Sequence, residues 1–362
     1  MSSFASTERR VRVVVNGFGR IGRLVARFIL ETPGCNLELV HINELHGDAA
    51  TSAYLLQFDS VHGRFAGFEC SATEDGSSIK VVGPSAATTN TISFSSFESP
   101  NEIAACSEKN IDVVLECTGV LKSSKKLAPF FSKHGVKKVV VSAPIKEDGV
   151  PNVVVGVNDE VYKTGEHSIV TAASCTTNCI APVVKVLHEY GPGIKHGSFT
   201  TLHDITNTQC ILDTAWPGKK EIRRTRGCLT NLVPTTTGSA KAITQIFPSL
   251  AGLLDGRAVR IPLANASLTD CVFEMKKETT VDEINSLLQE HAKNGPLKGI
   301  LGCEARPLVS SDFVNDPRSG IVDLMSTKCI NKTQVKLYVW YDNEFGYARR
   351  MFDLAVRVGK EL

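Results

Sequence analysis

Val11-Arg12-Val13-Val14-Val15-Asn16-Gly17-Phe18-Gly19-Arg20-Ile21-Gly22 decides how the first half of this chain folds. Residues 11–15 are almost all β-branched and suit a strand. Residues 21–30 carry Ile21, Leu24, Val25, Phe28 and Ile29 at helical spacing. A second apolar run, 37–42, completes a strand–helix–strand unit. Between the first strand and the helix lies G-x-G-x-x-G. Gly17 allows the tight turn, Gly19 lets backbone approach a pyrophosphate, and Gly22 lets helix and strand pack closely. The helix N-terminus then offers unpaired N–H groups to phosphate.

Working outward, Glu44 follows Asn43 at the end of the second strand. An acid there suits ribose hydroxyls and repels a 2′-phosphate, favouring NAD over NADP; otherwise it is a solvated loop acid. Arg20 reaches either the pyrophosphate or a surface ion pair. Thr118-Gly119 follow the strand ending at Glu116-Cys117, where strand C-termini face a ligand crevice. Apolar runs at 111–115, 136–142 and 153–157 extend a parallel sheet covered on both faces. The expectation is a Rossmann-like, mostly parallel α/β domain over residues 1–174.

The second half reads differently. Residues 197–203, 259–263, 266–276, 320–325 and 334–340 suit strands, and 281–292 a helix. Few helices intervene, which predicts an α+β catalytic domain, residues 175–342, with a mixed or antiparallel sheet. A helical tail at 345–358 places residues 343–362 back with the first domain.

A chain of 362 residues fits two domains. Its 42% hydrophobic and 22% charged residues are ordinary for a soluble enzyme. A net charge of +2 gives no reason to expect nucleic acid. Apolar runs such as Val139-Val140-Val141 are too short to cross a bilayer, so no membrane partner is expected. Residues 1–10 do not read as a signal peptide. Eleven scattered cysteines fit reduced thiols in a cytoplasmic protein better than a disulfide framework.

Ser174-Cys175-Thr176-Thr177-Asn178-Cys179 follows a short strand at 169–171 and precedes an apolar run at 180–190. A cysteine at a helix N-terminus gains thiolate character. Ser174, Thr176 and nearby backbone amides could hold an oxyanion. Pro182 is expected in the helix's first turn. Most cysteines are simply small buried hydrophobes, and Cys179 reads as structural. Cys175 and Cys179 lack the second ligand pair that a metal would need. Composition cannot choose a base among nine histidines. His203 ends a strand and is followed by the polar loop Asp204-Ile205-Thr206-Asn207-Thr208-Gln209, which suits a site rim.

These motifs, with Phe58-Asp59-Ser60-Val61-His62-Gly63, residues 234–241, residues 295–302 and Trp340-Tyr341-Asp342-Asn343-Glu344-Phe345-Gly346-Tyr347, occur in an order that resembles the glyceraldehyde-3-phosphate dehydrogenase family. The resemblance spans nearly the whole chain. It implies NAD-dependent oxidation of D-glyceraldehyde 3-phosphate to 1,3-bisphosphoglycerate. Cys175 attacks the aldehyde, His203 takes the proton, hydride passes to nicotinamide, and inorganic phosphate opens the thioester. It also implies cofactor contacts from Asn16, Gly17, Phe18, Gly19, Arg20, Ile21, Gly22, Asn43, Glu44, Thr118, Gly119, Asn343 and Tyr347. The attacking phosphate would meet Ser174, Thr176, Thr237 and Gly238. The substrate phosphate would meet Thr206, Thr208 and Arg260. Arg226 matches an arginine of the preceding loop, its partner either anion or protein. A homotetramer is implied as well.

Several positions depart from the family's common pattern. Glu44 stands for aspartate, Ala172 for asparagine, and Asp204 for a small residue beside the base. The loop 210–222, with Trp216-Pro217-Gly218, differs in length and content. These departures keep erythrose 4-phosphate oxidation and an arsenate-using variant as alternatives. As an anion, Asp204 would favour a protonated imidazole, so Asp204→Ala is expected to move the acidic limb of the pH–rate profile downward.

Overall fold

The computed structural model describes residues 9–215 and 221–362. Residues 1–8 of the leader reading, and Trp216-Pro217-Gly218, lie outside them. The chain gathers into two units, one of residues 1–153, 160–172 and 348–362, the other of 154–159 and 173–347.

In the first unit, β1 (Val11–Asn16) runs into α1 (Arg20–Glu31), which buries Leu24, Val25, Phe28 and Ile29 from its apolar stripe. Then come β2 (Leu37–Asn43), α2 (Ala49–Gln57), β3 (Glu69–Ala72), β4 (Ser78–Val82) and β5 (Asn90–Ser95). After α3 (Ala105–Glu108) follow β6 (Val113–Glu116), α4 (Ser124–Ser132), β7 (Lys138–Val141) and β8 (Ile169–Thr171). The sheet order is β3-β4-β5-β2-β1-β6-β7-β8. From β5 to β8 every pairing is parallel, while β3 and β4 form an antiparallel edge. Strands β1, β6 and β7 are wholly or almost wholly buried, as expected where both faces are covered.

The second unit begins with α5 (Cys175–Lys185), followed by β9 (Ile194–His203), β10 (Val233–Thr236) and α6 (Ser239–Ile246). Next are β11 (Leu254–Arg260), β12 (Ser267–Met275), α7 (Val281–Lys293), β13 (Leu301–Glu304), β14 (Gly320–Ile330) and β15 (Gln334–Tyr341). The order β10-β11-β9-β12-β15-β14-β13 is mixed, with β11–β9 and β13–β14 parallel and the rest antiparallel. Residues of β12 alternate buried and half-buried, a period-2 pattern. Helix α8 (Phe345–Lys360) closes the chain.

Three local expectations fail for identifiable reasons. Residues 153–157 form a turn. The Asn158 side chain accepts the Val154 N–H at 2.7 Å, and Gly156 adopts φ +82°. Residues 259–263 are not a strand of their own. Strand β11 starts at Leu254 and stops at Arg260, and Pro262 just beyond it has no N–H for a ladder. Pro182 is well inside α5 rather than in its first turn, because the helix already begins at Cys175. Just after it the helix widens to π spacing at Val186–Tyr190.

Candidate active site

The chemistry of the first unit collects where β1 separates β2 from β6, the point at which strand order reverses. Asn16 is in register with both Asn43 and Glu116. The Gly17 N–H donates to Asn43 O at 2.8 Å and the Cys117 N–H to Asn16 O at 2.7 Å. Gly17 has φ +89°, and a Cβ on it would come within 2.6 Å of Thr118 N. One on Gly22 would fall 2.1 Å from Gly17 O. A Cβ on Gly19 would meet nothing within 4 Å. Two glycines therefore close the turn and the third leaves backbone open, which fits a dinucleotide pyrophosphate.

Beneath the turn lies a polar floor. Asn43 Nδ2 donates to Asn16 Oδ1 at 2.8 Å, and Asn43 Oδ1 accepts from Ser95 Oγ at 2.8 Å. Asn16 Nδ2 donates to Glu116 Oε2 at 2.5 Å, and the Thr118 N–H to Glu116 Oε1 at 2.9 Å. The Asn16 and Asn43 side chains thus hold the strand ends together. Burial pushes the Glu116 carboxyl up to about 7 despite these donors. Glu44 accepts from the Phe18 N–H and from the His46 N–H at 3.0 Å, so its carboxylate is tied to the glycine turn. Arg20 is ion-paired with Asp59. Burial opposes ionisation of Asp59, yet the Arg20 guanidinium and the His62 and Val61 amides hold its carboxyl at about 2. Gly119 turns the chain after Thr118 with φ +69°, and Ile21 lies half-buried in the first turn of α1.

In the second unit Cys175 is the first residue of α5, capped by Ser174, whose Oγ accepts the Thr177 N–H at 3.2 Å. His203 ends β9 and puts Nε2 3.6 Å from the Cys175 sulfur. Burial raises the thiol, but His203 and the Arg260 charge outweigh it and hold Cys175 below its usual value. Cys179, one turn on, is wholly buried and pushed well above the usual thiol value by that burial. One helix thus carries a reactive and an inert sulfur.

Arg260 is in register with His203 across β11 and β9. Its Nη1 lies 2.7 Å from His203 Nδ1 and donates to Asp204 O at 3.0 Å. Tyr341 packs edge-on beneath the imidazole, with ring centroids 6.2 Å apart. Its hydroxyl lies 3.0 Å from Thr176 Oγ1 and 2.7 Å from Thr201 Oγ1. The Thr176 hydroxyl is therefore buried against Tyr341. Ser174 Oγ lies 3.2 Å from Ser239 Oγ, and Thr237 Oγ1 accepts the Ser239 N–H at 3.2 Å. With Gly238 at the N-cap of α6, these residues bring a second helix N-terminus beside that of α5. Thr206 and Thr208 join hydroxyls at 3.0 Å. Asn343 Oδ1 accepts from Ser267 Oγ at 3.2 Å, and Tyr347 donates to Ala173 O.

Two sequence readings change here. Arg226 pairs with Asp213 at 2.5 Å, both well exposed, in a surface ion pair of little energetic weight. Arg224, two positions earlier, is ion-paired with Glu221 at 3.4 Å. Its Nη2 donates to Thr235 Oγ1 at 3.1 Å, and its charge, after burial, helps lower the Arg260 guanidinium. No sequence period separates arginines two positions apart in a loop. Asp204, read above as an anion, is fully buried. Burial first, then Glu344 and Asp342, push its carboxyl up to about 8.

A dinucleotide-type glycine turn in the first unit and a helix-capped thiol beside an imidazole in the second are the features of a nicotinamide-dependent dehydrogenase. Comparison with known proteins narrows the class. Residues 11–124 match the model of the glyceraldehyde 3-phosphate dehydrogenase NAD binding domain, and residues 174–343 that of its C-terminal domain. The chain is 50% identical to glyceraldehyde-3-phosphate dehydrogenase 3 of Nostoc sp., over 98% of this chain and 99% of the relative. It is 44% identical to glyceraldehyde-3-phosphate dehydrogenase of Pseudomonas aeruginosa, over 96% of this chain and 97% of that one. For glyceraldehyde-3-phosphate dehydrogenase 1 of Bacillus subtilis the figures are 41%, 97% and 99%. This chain belongs to the glyceraldehyde-3-phosphate dehydrogenase family.

Proposed function

We propose that the protein oxidises D-glyceraldehyde 3-phosphate to 1,3-bisphosphoglycerate with NAD and inorganic phosphate. The observation that carries this reading is the Cys175 thiol held below its usual value 3.6 Å from His203 Nε2, in a chain of this family. The Cys175 thiolate bonds to the aldehyde carbon as the His203 imidazolium protonates the carbonyl oxygen, and the thiohemiacetal hydroxyl then returns that proton to His203 Nε2 as hydride leaves the same carbon. Phosphate then attacks the thioester, releasing the acyl phosphate and restoring the thiolate. A positioned acid–base group of this kind contributes about 10²–10⁴-fold. When bound, NAD supplies the hydride acceptor. The turn Asn16 to Gly22, with Asn43, Glu44, Thr118 and Gly119, would hold it, and Asn343 and Tyr347 are assigned to it as well.

Ser174, Thr176, Thr237 and Gly238 are assigned to the attacking phosphate. Thr206, Thr208 and Arg260 are assigned to the substrate phosphate, with Arg224 added in place of Arg226. Hydroxyls, amides and guanidinium match phosphate oxygens. Ile211, Leu212, Ile222, Leu229 and Leu232 are 58–80% exposed within one stretch of chain. Such a patch favours burial against further copies, in a homotetramer. All eleven thiols are free, which supports a reducing cytoplasmic setting, and no described helix is long and apolar enough to cross a membrane.

The test is initial-rate measurement with triose and tetrose phosphates, with and without phosphate, and with NAD and NADP. Phosphate-dependent turnover of the triose with NAD is expected. Preference for the tetrose, or turnover independent of phosphate, would overturn the assignment.

A further inference from the structure

We propose that Glu116 sets the hydrogen-bonding role of the Thr118 hydroxyl at the dinucleotide turn. A proton taken up on the Glu116 carboxyl turns Thr118 into a donor for NAD. The inference rests on the assignment of Thr118 to the cofactor and names what controls that residue. Glu116 ends β6 and is buried, while Thr118, two positions on, is exposed. Glu116 Oε1 accepts both the Thr118 N–H, at 2.9 Å, and the Thr118 hydroxyl. Thr118 Oγ1 in turn accepts the Val120 N–H at 3.1 Å. A buried carboxyl thus fixes the direction of an exposed hydroxyl.

A hydroxyl has one proton to give and two lone pairs. An ionised carboxyl can only accept, so the Thr118 proton is spent on Oε1 and one lone pair goes to Val120. The remaining lone pair is all that Thr118 then offers a ligand. A protonated carboxyl reverses the contact. Its O–H donates to Thr118 Oγ1, both lone pairs are taken, and the Thr118 proton is free for a ligand. Phosphate oxygens only accept hydrogen bonds, so this second state suits a dinucleotide, whereas the first turns a lone pair toward an anion. The proton comes from solvent when NAD binds and returns there when it leaves.

Packing brings both states within reach. Burial lifts the carboxyl to about 7, against the Thr118 and Asn16 hydrogen bonds. The second oxygen accepts from Asn16 Nδ2 at 2.5 Å, which keeps the carboxyl in place. On the strands beside it, β1 and β2 present the Asn16 and Asn43 amides, and β7 sets Val141 in register with Glu116. Cys117, next on the chain, has its thiol raised by burial and then by the Glu116 charge. Lys126 of α4 reaches the same loop, its Nζ donating to Val120 O at 3.3 Å. At the glycine turn Glu44 is tied to the Phe18 N–H, and Arg20 to Asp59.

Isothermal titration calorimetry of the full chain with NAD, from pH 5.5 to 8.5 in two buffers of different ionisation enthalpy, reads affinity and proton uptake together. NAD itself does not titrate over that range. Parent affinity should fall about ten-fold as pH rises, the effect of one hydrogen bond to a charged group. A fraction of a proton should be taken up near pH 7. Thr118→Val keeps the backbone N–H and the Glu116 carboxyl but has no hydroxyl, so its affinity should be flat with pH. Thr118→Ser, which keeps the hydroxyl, should restore the slope. Glu116→Gln cannot ionise and should bind with neither slope nor proton uptake. The two Thr118 variants decide the matter even if Glu116→Gln does not fold. A parent affinity independent of pH would overturn the proposal. So would a slope that survives in Thr118→Val, which would make Glu116 a charge acting on the dinucleotide directly, or one that survives in Glu116→Gln. Absence of NAD binding by the parent at every pH would reject the cofactor assignment itself, and this switch with it.

Discussion

The Tyr347 hydroxyl donates to the carbonyl oxygen of Ala173 at 3.1 Å, two residues before the nucleophile. Ala173 adopts φ +53°, a left-handed conformation that an L residue holds only under outside constraint. Tyr347 thus helps pin the bend that brings Cys175 to the start of α5. Tyr347→Phe removes a hydrogen bond worth about 1 kcal/mol net. If that energy is felt at the bend, turnover should fall about three- to ten-fold. Ala173→Gly, which relieves the conformational cost, should keep near-parent rates and partly rescue Tyr347→Phe. Initial rates of the two single variants and the double variant check this, and additive losses would separate Tyr347 from the bend.

The sulfurs of this chain divide by environment. Burial raises Cys70, Cys106, Cys179, Cys271 and Cys303, whereas Cys175 alone is shifted below its usual value. Reaction rate follows thiolate fraction and access. One equivalent of iodoacetamide at pH 7 should therefore label Cys175 ahead of the other cysteines, and peptide mapping would show it. Cys175→Ser should abolish dehydrogenase turnover while NAD titration stays close to the parent curve.

Gly17 and Gly19 should fail differently when changed to alanine. At Gly17 the new methyl meets Thr118 backbone at 2.6 Å in a positive-φ turn, so the strand ends must move apart. Gly17→Ala should lower the melting temperature and NAD affinity together. At Gly19 a methyl meets nothing of the protein within 4 Å. Gly19→Ala should melt with the parent and lose dinucleotide affinity, because the methyl occupies space the pyrophosphate needs. Calorimetry for stability, and fluorescence titration for NAD, tell the two apart.

How much of this was legible in the sequence depended on whether the signal was periodic. The stripe Leu24, Val25, Phe28 and Ile29 and the β-branched β1 announce α1 and its strand because burial repeats at the helical or sheet period. Strands β3 to β5 were not read, since β3 and β5 carry few apolar residues and β4 alternates buried and exposed over only five residues. The cysteine and its histidine could be named from the motifs, yet their approach across 28 positions is tertiary. The same limit left the partner of Arg226 open, and only the structure shows it to be Asp213, while Arg224 donates to Thr235. It also made Asp204 look like an anion. Sequence shows that an acid follows the base, but not that its side chain is buried.

The exposed side chains Ile211, Leu212 and Ile222 give the assembly a direct test. If other copies bury this stretch, a charge there is desolvated without a partner and opposes association. Leu212→Asp should shift the protein to smaller species in sedimentation velocity, with helix and sheet content by circular dichroism retained. An unchanged sedimentation coefficient would place the interface elsewhere.

Glu116 makes the first unit's stability depend on pH with an uncommon sign. Most acids are depressed by folding and lend stability as pH rises. Glu116 is raised from 4.5 to about 7, chiefly by burial, so folding favours its neutral form. Its contribution is full below the unfolded value near 4.5 and is lost as pH climbs through about 7. A shift of this size corresponds to about 3 kcal/mol, an order-of-magnitude figure for a fully buried group. Melting temperatures of the parent should therefore show a decline between pH 5 and 7.5 that Glu116→Gln flattens. The amide still accepts from the Thr118 N–H but turns a donor toward Asn16 Nδ2, so the variant should be less stable at pH 5. Its deficit should narrow as the parent's carboxyl ionises. A constant gap between the two melting curves across that range would show that Glu116 does not titrate there.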